Sequence, residues 1–395
     1  MIHYSAPPVT GGVEAILGAH ARLLSARGYD VRVIAGQGDA DLVPEVSSRH
    51  PDVERVAHGL AAGEAVEAEF ARLEARLAER LHPLLEDRDL IVAHNVLTMP
   101  FNLPLACALV AAGLPILAWT HDLAWVNPRY EAYHRQGFPY DLLHEARPRT
   151  TYVAISVVRR HEIAATLGLP TASVPLVPNG VDALEFWGVG PATRDLARRG
   201  GFAGPGPMVL VPLRITRRKR LELALEAAAL LRADHPGLRV VVSGPLGPHS
   251  SDNRAYAAEL RALRARLDLN ETVCFLYELA GPDGAHPVSD QNIAELYRMA
   301  DCVLMPSESE GFGLPAVEAA LGRAPLVAAD IEVIREVAGR GGFLFPELGG
   351  SGDVARALGR ALATRMGRLR RRVLARHDWP SVVGRMETLI EKTCG

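Results

Sequence analysis

Short apolar runs alternating with longer helical patterns, twice over along one chain, restrict the fold of this sequence more than any other feature. Runs at 30–35, 90–94, 115–120 and 152–155 punctuate the first half, and runs at 208–213, 238–242, 273–276, 302–305, 326–328 and 343–345 the second. Runs this short, with helices between them, belong to parallel strands buried on both faces, because a parallel connection needs a crossover long enough for a helix. Each half therefore predicts a doubly wound α/β domain, residues 1–184 and 208–375. A length of 395 residues agrees, at about 100–200 residues per domain. Between them, residues 185–207 carry six glycines and three prolines and read as a linker. Two such domains whose switch-point crevices face each other would form a central cleft suited to a ligand with two chemically different ends.

Composition narrows the partners. Apolar residues at 48% and charged residues at 23% are those of an ordinary globular core, and a net charge of -3 supplies no general attraction to nucleic acid. Cys107, Cys274, Cys302 and Cys394 are too scattered for a zinc site or disulfide framework, which points to a reducing cytoplasm. The N-terminus has no basic and apolar leader pattern, so secretion is not expected. The apolar stretch 101–119 is broken by Asn102, Pro104, Gly113 and Pro115 and reads as a buried helix then a strand, not a membrane insertion. Arginines 365, 368, 370, 371, 372 and 376 read as a solvated helix face. Self-association is left open.

Four motifs carry chemistry. The first runs from Pro306 to Ala319, directly after an apolar run, and has the order strand, glycine turn, helix. Gly311 and Gly313 let a ligand approach the backbone, and the N–H groups of Phe312, Gly313 and Leu314 stand unpaired at a helix start. Glu310 and Glu318 are acceptor-only carboxylates suited to hydroxyl-rich ligands. The second ends a strand at Arg214 and reaches a helix start at Lys219, a fork and a point charge able to clamp a diphosphate. In the third, Gly11 and Gly12 sit between the first strand and first helix. The fourth places His121 at a strand end, with His94 and Asn95 ending a neighbouring run as either acceptor contacts or structural groups.

These strings together resemble the retaining glycosyltransferases of family 4, whose hallmark is Glu, seven residues, Glu, matched here by Glu310 and Glu318. The resemblance implies a GT-B fold, with a terminal helix at 376–395 crossing back to the first domain. It implies that Glu310 and the adjacent backbone hold a donor sugar, Glu318 a ribose, Arg214 and Lys219 a diphosphate, the Gly11–Gly12 loop a phosphate, and His121 the donor sugar near the reaction centre. The family usually has glycine before the arginine, whereas this chain has Leu213. Arg217, Arg218 and Arg220 read as solvated charges.

The expected reaction is hexose transfer from a nucleotide-sugar, GDP-mannose or UDP-glucose, to a small soluble acceptor such as a sugar or sugar acid. Retention would proceed by same-face attack with the departing diphosphate taking the acceptor's proton. No metal or other cofactor is expected, the cation pair taking the metal's place; the DxD string Asp39-Ala40-Asp41 lies away from the motifs. Glu278, with Tyr277 and Leu279, would read the base, and the segment 127–140, with Arg129 and Arg135, would rim the acceptor. Competing readings are an inactive binding subunit, a phosphorylase using pyridoxal phosphate, a nucleotide-sugar epimerase and a transferase acting on a lipid-linked acceptor.

Overall fold

The computed structural model describes residues 1–246, 251–279, 288–339 and 341–394. Contacts divide the chain into two compact units, Met1–Gly180 with Trp379–Gly395, and Val181–Asp378.

In the first unit Ile2 bridges Ile34 on one side and Ala93 on the other. The parallel order is thus Asp41–Leu42, Ile34–Ala35, the segment at Ile2, Ile91–His94, Ile116–Thr120 and Thr150–Ala154. The expected strand at 30–35 shrinks to the two residues Ile34 and Ala35, which pair with Asp41 and Leu42 while Ile34 also bridges Ile2. Residues 101–119 divide into the buried helix Leu103–Ala111 and the strand Ile116–Thr120. The chain's last helix, Trp379–Cys394, is part of this unit: Trp379, Val382, Val383 and Met386 pack with Leu24, Leu117, Trp119 and Val153. It starts at Trp379, not 376, because the helix Arg365–His377 runs through those residues first.

The second unit holds a six-stranded parallel sheet in the order Phe343–Phe345, Leu326–Ala329, Cys302–Met305, Met208–Val211, Arg239–Val242, Val273–Phe275. Counted from Met208–Val211 this is 3-2-1-4-5-6 read from the far edge, the doubly wound order with its switch point between the first and fourth strands. Helix Leu221–Leu231 buries Leu221, Ala224, Leu225, Ala228 and Leu231, the face its spacing predicts.

Residues 185–207 are not a linker. They hold the helix Pro191–Arg199, and Val189, Leu196, Ala197 and Phe202 belong to the core of this unit, so the boundary falls at Gly180 and Val181. Three of the glycines and prolines serve its ends: Gly190 precedes the helix, Pro191 opens it and Gly200 closes it. Among the described residues no helix is long and apolar enough to cross a membrane.

Candidate functional site

In the second unit Met208–Val211 and Cys302–Met305 pair directly, Val209 with Cys302 and Leu210 with Val303. The loops leaving their carboxyl ends therefore run together, where open α/β sheets bind ligands. The first loop is set by Gly244, whose missing Cβ would lie 2.0 Å from the Leu213 carbonyl oxygen; only glycine allows so close a passage. Leu213, where the resembling family has glycine, is buried. Arg214 beside it is exposed and has no ion pair among the described residues.

Three contacts stitch the two loops. The Glu308 N–H donates to the Arg218 carbonyl, Arg218 Nη1 donates to the Ser309 carbonyl, each at 3.0 Å, and Lys219 Nζ meets both carboxylate oxygens of Glu310 at 2.5 Å. The last pair is almost dry, each side chain 8% exposed. Two residues 91 apart in sequence are thus brought into one ion pair.

Gly313 sits at φ +81°, a conformation a side chain would strain, and precedes helix Leu314–Leu321. The N–H groups of Phe312, Gly313 and Leu314 donate to nothing among the described residues. Phe312 and Leu314 are exposed. On the helix, Glu318 accepts from the Tyr297 hydroxyl at 2.6 Å, which with burial raises the pKa of that phenol. Three buried hydroxyls near these strand ends, Thr216, Ser243 and Ser307, find no partner among the described residues. Reasoning from motifs missed Tyr297 and all three hydroxyls; the only signal for Ser243 and Ser307 was their place just past an apolar run.

In the first unit His94 ends one strand and His121 follows its neighbour, and His94 Nδ1 and His121 Nε2 share a hydrogen bond at 3.1 Å. Asn95, at φ 60°, accepts from the backbone N–H of His121 at 2.8 Å and of Asp122 at 3.0 Å, which fixes the turn. Burial pushes His121 down to about 4, with His3 adding to the shift, so its imidazole is neutral at pH 7. Gly11 and Gly12 stand at the head of helix Gly12–Ser25, with open space above Gly12.

Beside them lies a cavity of about 410 Å³ lined in part by Tyr4, Glu14, Ser48, Arg49, Asn95 and Tyr130. Its carboxylates are engaged. Glu14 accepts from the Ser5 hydroxyl at 2.7 Å, and Asp122 takes Asn95 Nδ2 at 3.4 Å. The Arg49 side chain is exposed and has no partner among the described residues, which leaves it as the cavity's unspent charge. No motif marked it.

Other expected contacts go elsewhere. Glu278 is held by Arg264 at 2.7 Å and the Leu279 carbonyl by Arg199, while residues 280–287 lie outside the described ones. Arg135 reaches the Ala61 carbonyl and lies over the Tyr140 ring, and the Tyr133 and Tyr140 hydroxyls donate to Ala57 and Leu60. The segment 127–140 thus clasps the end of helix Pro51–Ala62 and gives the cavity only Tyr130. Arg129 is exposed, and Asp41 of the DxD string faces Arg32 at 3.3 Å. Arg217 pairs with Asp252 and Glu259, and Arg220 donates to the Glu347 and Gly349 carbonyls, so neither is merely solvated.

Residues 193–373 match the family model for glycosyl transferases group 1, and residues 10–183 the model for Glycosyltransferase Family 4. A D-inositol 3-phosphate glycosyltransferase of Kineococcus radiotolerans is 35% identical over 189 residues, 46% of this chain but only 40% of that protein. The match to this and similar D-inositol 3-phosphate glycosyltransferases thus spans about two fifths of their length or less. A mannosylglucosylglycerate synthase of Thermotoga maritima is 25% identical over 88% of this chain and 84% of its own. Among solved structures, Anabaena HepE in complex with UDP aligns over 99% of this chain and 98% of its own at 20% identity and a TM-score of 0.36.

Proposed function

Because this chain belongs to glycosyltransferase family 4, with two doubly wound units of the GT-B type, we propose that it transfers a hexose from a nucleotide-sugar to a hydroxyl of a small soluble acceptor, with retention and without a metal. The observation that carries the reading is the dry Lys219–Glu310 pair at the switch point, flanked by backbone N–H groups and by Arg214, none of which has a hydrogen-bond or ion-pair partner among the described residues. A diphosphate brought to Arg214 and Lys219 has its charge met by a planar fork and a point charge, and the Phe312–Leu314 N–H groups add donors that need no reorganisation. Glu310, held in place by Lys219, accepts from hydroxyls of the donor sugar, and Glu318, held by Tyr297, from the ribose. The Gly11–Gly12 loop offers backbone to a phosphate, and neutral His121 hydrogen-bonds a sugar hydroxyl near the anomeric carbon.

In the reaction the bond from the anomeric carbon to the diphosphate oxygen breaks while the acceptor oxygen bonds to the same face. The acceptor's proton passes to the departing phosphate oxygen. Charge growing on that oxygen is what Arg214 and Lys219 stabilise more in the transition state than in the ground state. Glu278 is taken by Arg264, so it does not choose between the uridine and guanosine of the two proposed donors.

The acceptor is a small hydroxylated anion held in the cavity of the first unit, its charge on Arg49 and its ring against Tyr130. Inositol 3-phosphate in one relative's name and a glycerate glycoside in another's are of that kind. The test is thermal shift with UDP-glucose and GDP-mannose, then transfer to sugar phosphates, sugar acids and neutral sugars with excess chelator present. Transfer to the anions, weakened at least tenfold in acceptor KM by Arg49→Ala, is expected. Stabilisation by neither donor, or transfer that stops with chelator and returns with magnesium, would overturn the reading.

A further inference from the structure

Helix Arg365–His377 has six arginines and no acidic side chain. Its inner side is committed to the second unit: Leu374 is buried, Arg370 stacks on the Trp187 ring at 4.2 Å, and Arg371 donates to the Leu362 carbonyl at 2.6 Å. The outer side differs from the solvated polar face expected of such a run. It exposes Met366 at 71%, Leu369 at 54% and Val373 at 36%. At the helical period these three share one strip, and Arg365, Arg368, Arg372 and Arg376 form the strip beside it. Arg365, Arg372 and Arg376 have no ion pair among the described residues. Phe186, next to the Trp187 on which Arg370 stacks, is 81% exposed and adds an aromatic ring to the same unit's surface.

A face meant only for water has no use for three aliphatic side chains and a phenyl ring, and a nucleic-acid backbone would engage the arginines while leaving the apolar strip wet. A bilayer surface takes both strips at once: guanidinium groups bind lipid phosphates, and the apolar side chains enter the boundary between headgroups and acyl chains. We propose that helix Arg365–His377, with Phe186, seats this protein on membranes rich in anionic lipid. The helix lies on the surface and does not cross it. This goes beyond the transfer reaction, because it concerns where the protein works and holds whichever acceptor it uses.

The experiment is co-sedimentation of the full chain, without substrates, with vesicles of phosphatidylcholine alone or mixed with phosphatidylglycerol. Binding to the mixed vesicles only, weakened by salt, is expected. Arg372→Ala and Arg376→Ala should each weaken it roughly fivefold. Leu369→Ser, which keeps every charge, should weaken it on the order of tenfold. All three sites are exposed, and an unchanged melting temperature shows that each variant is folded. No binding to the mixed vesicles, or binding that ignores Leu369, overturns the proposal. Binding of an RNA oligonucleotide at the same salt, dependent on the arginines and not on Leu369, overturns it too and gives the surface to nucleic acid. Donor binding is measured separately, so loss of one result leaves the other standing.

Discussion

His20 is fully buried, packed by the rings of Trp119, Trp379 and His94, and neither of its ring nitrogens has a hydrogen-bond partner among the described residues. A buried unpaired polar atom costs about 1–3 kcal/mol, so this side chain weakens the fold around it. Burial pushes its pKa down to about 3, and His121 to about 4, both from 6.5. Below pH 6.5 the unfolded chain binds protons that the folded chain refuses, so stability is full above 6.5 and falls as the pH drops from 6.5 towards 4 and 3. His20→Phe should raise the melting temperature at pH 7.5 and flatten its decline between pH 6.5 and 4.5. A calorimetric series on both proteins checks this, and parallel declines would show that His20 is not responsible.

At the scale of elements, the strand order does what spacing along the chain cannot. Lys219 and Glu310 are each visible in sequence as motif residues, yet only the 3-2-1-4-5-6 order lays their loops side by side. Removing one partner of a dry ion pair strands the other charge, at a cost of about 3–5 kcal/mol. Lys219→Ala should therefore cost about 3 kcal/mol in denaturant unfolding, and adding Glu310→Ala should restore most of it; additive losses would mean that the pair is not coupled. The same logic marks what was legible. Strands, the Leu221–Leu231 face and the glycine turn before Leu314 followed from local pattern, because apolar runs and φ demands are written locally. The His94–His121 bond and the capture of Glu278 by Arg264 were not, because each depends on which elements become neighbours. The segment 185–207 misled for the opposite reason: glycine and proline at helix ends look in sequence like glycine and proline in a linker.

At the scale of the whole molecule, the first unit is not continuous in sequence. Its core needs Trp379, Val382, Val383, Met386, Leu389 and Ile390 from the chain's last helix, reached only after the second unit is complete. The two passing segments are tied where they leave the second unit: the Val181 N–H donates to the His377 carbonyl at 2.7 Å, and Val181 bridges Asp378. On the first unit's side Gly180 lies flat on Trp379, where a Cβ would come within 2.3 Å of the indole. At about 1.5–3 kcal/mol per fully buried apolar side chain, the six residues contribute on the order of 10 kcal/mol. That matches the whole stability of a typical domain, about 5–15 kcal/mol. Ending the chain after Asp378 should therefore unfold the first unit, while the second, whose sheet and core lie within Val181–Asp378, keeps its structure. Limited trypsin digestion of the shortened chain should leave a resistant core beginning near residue 181 and degrade what precedes it, whereas the full chain resists in both units. A shortened chain whose first 180 residues remain resistant would show that the last helix is an accessory to that unit and not part of its core.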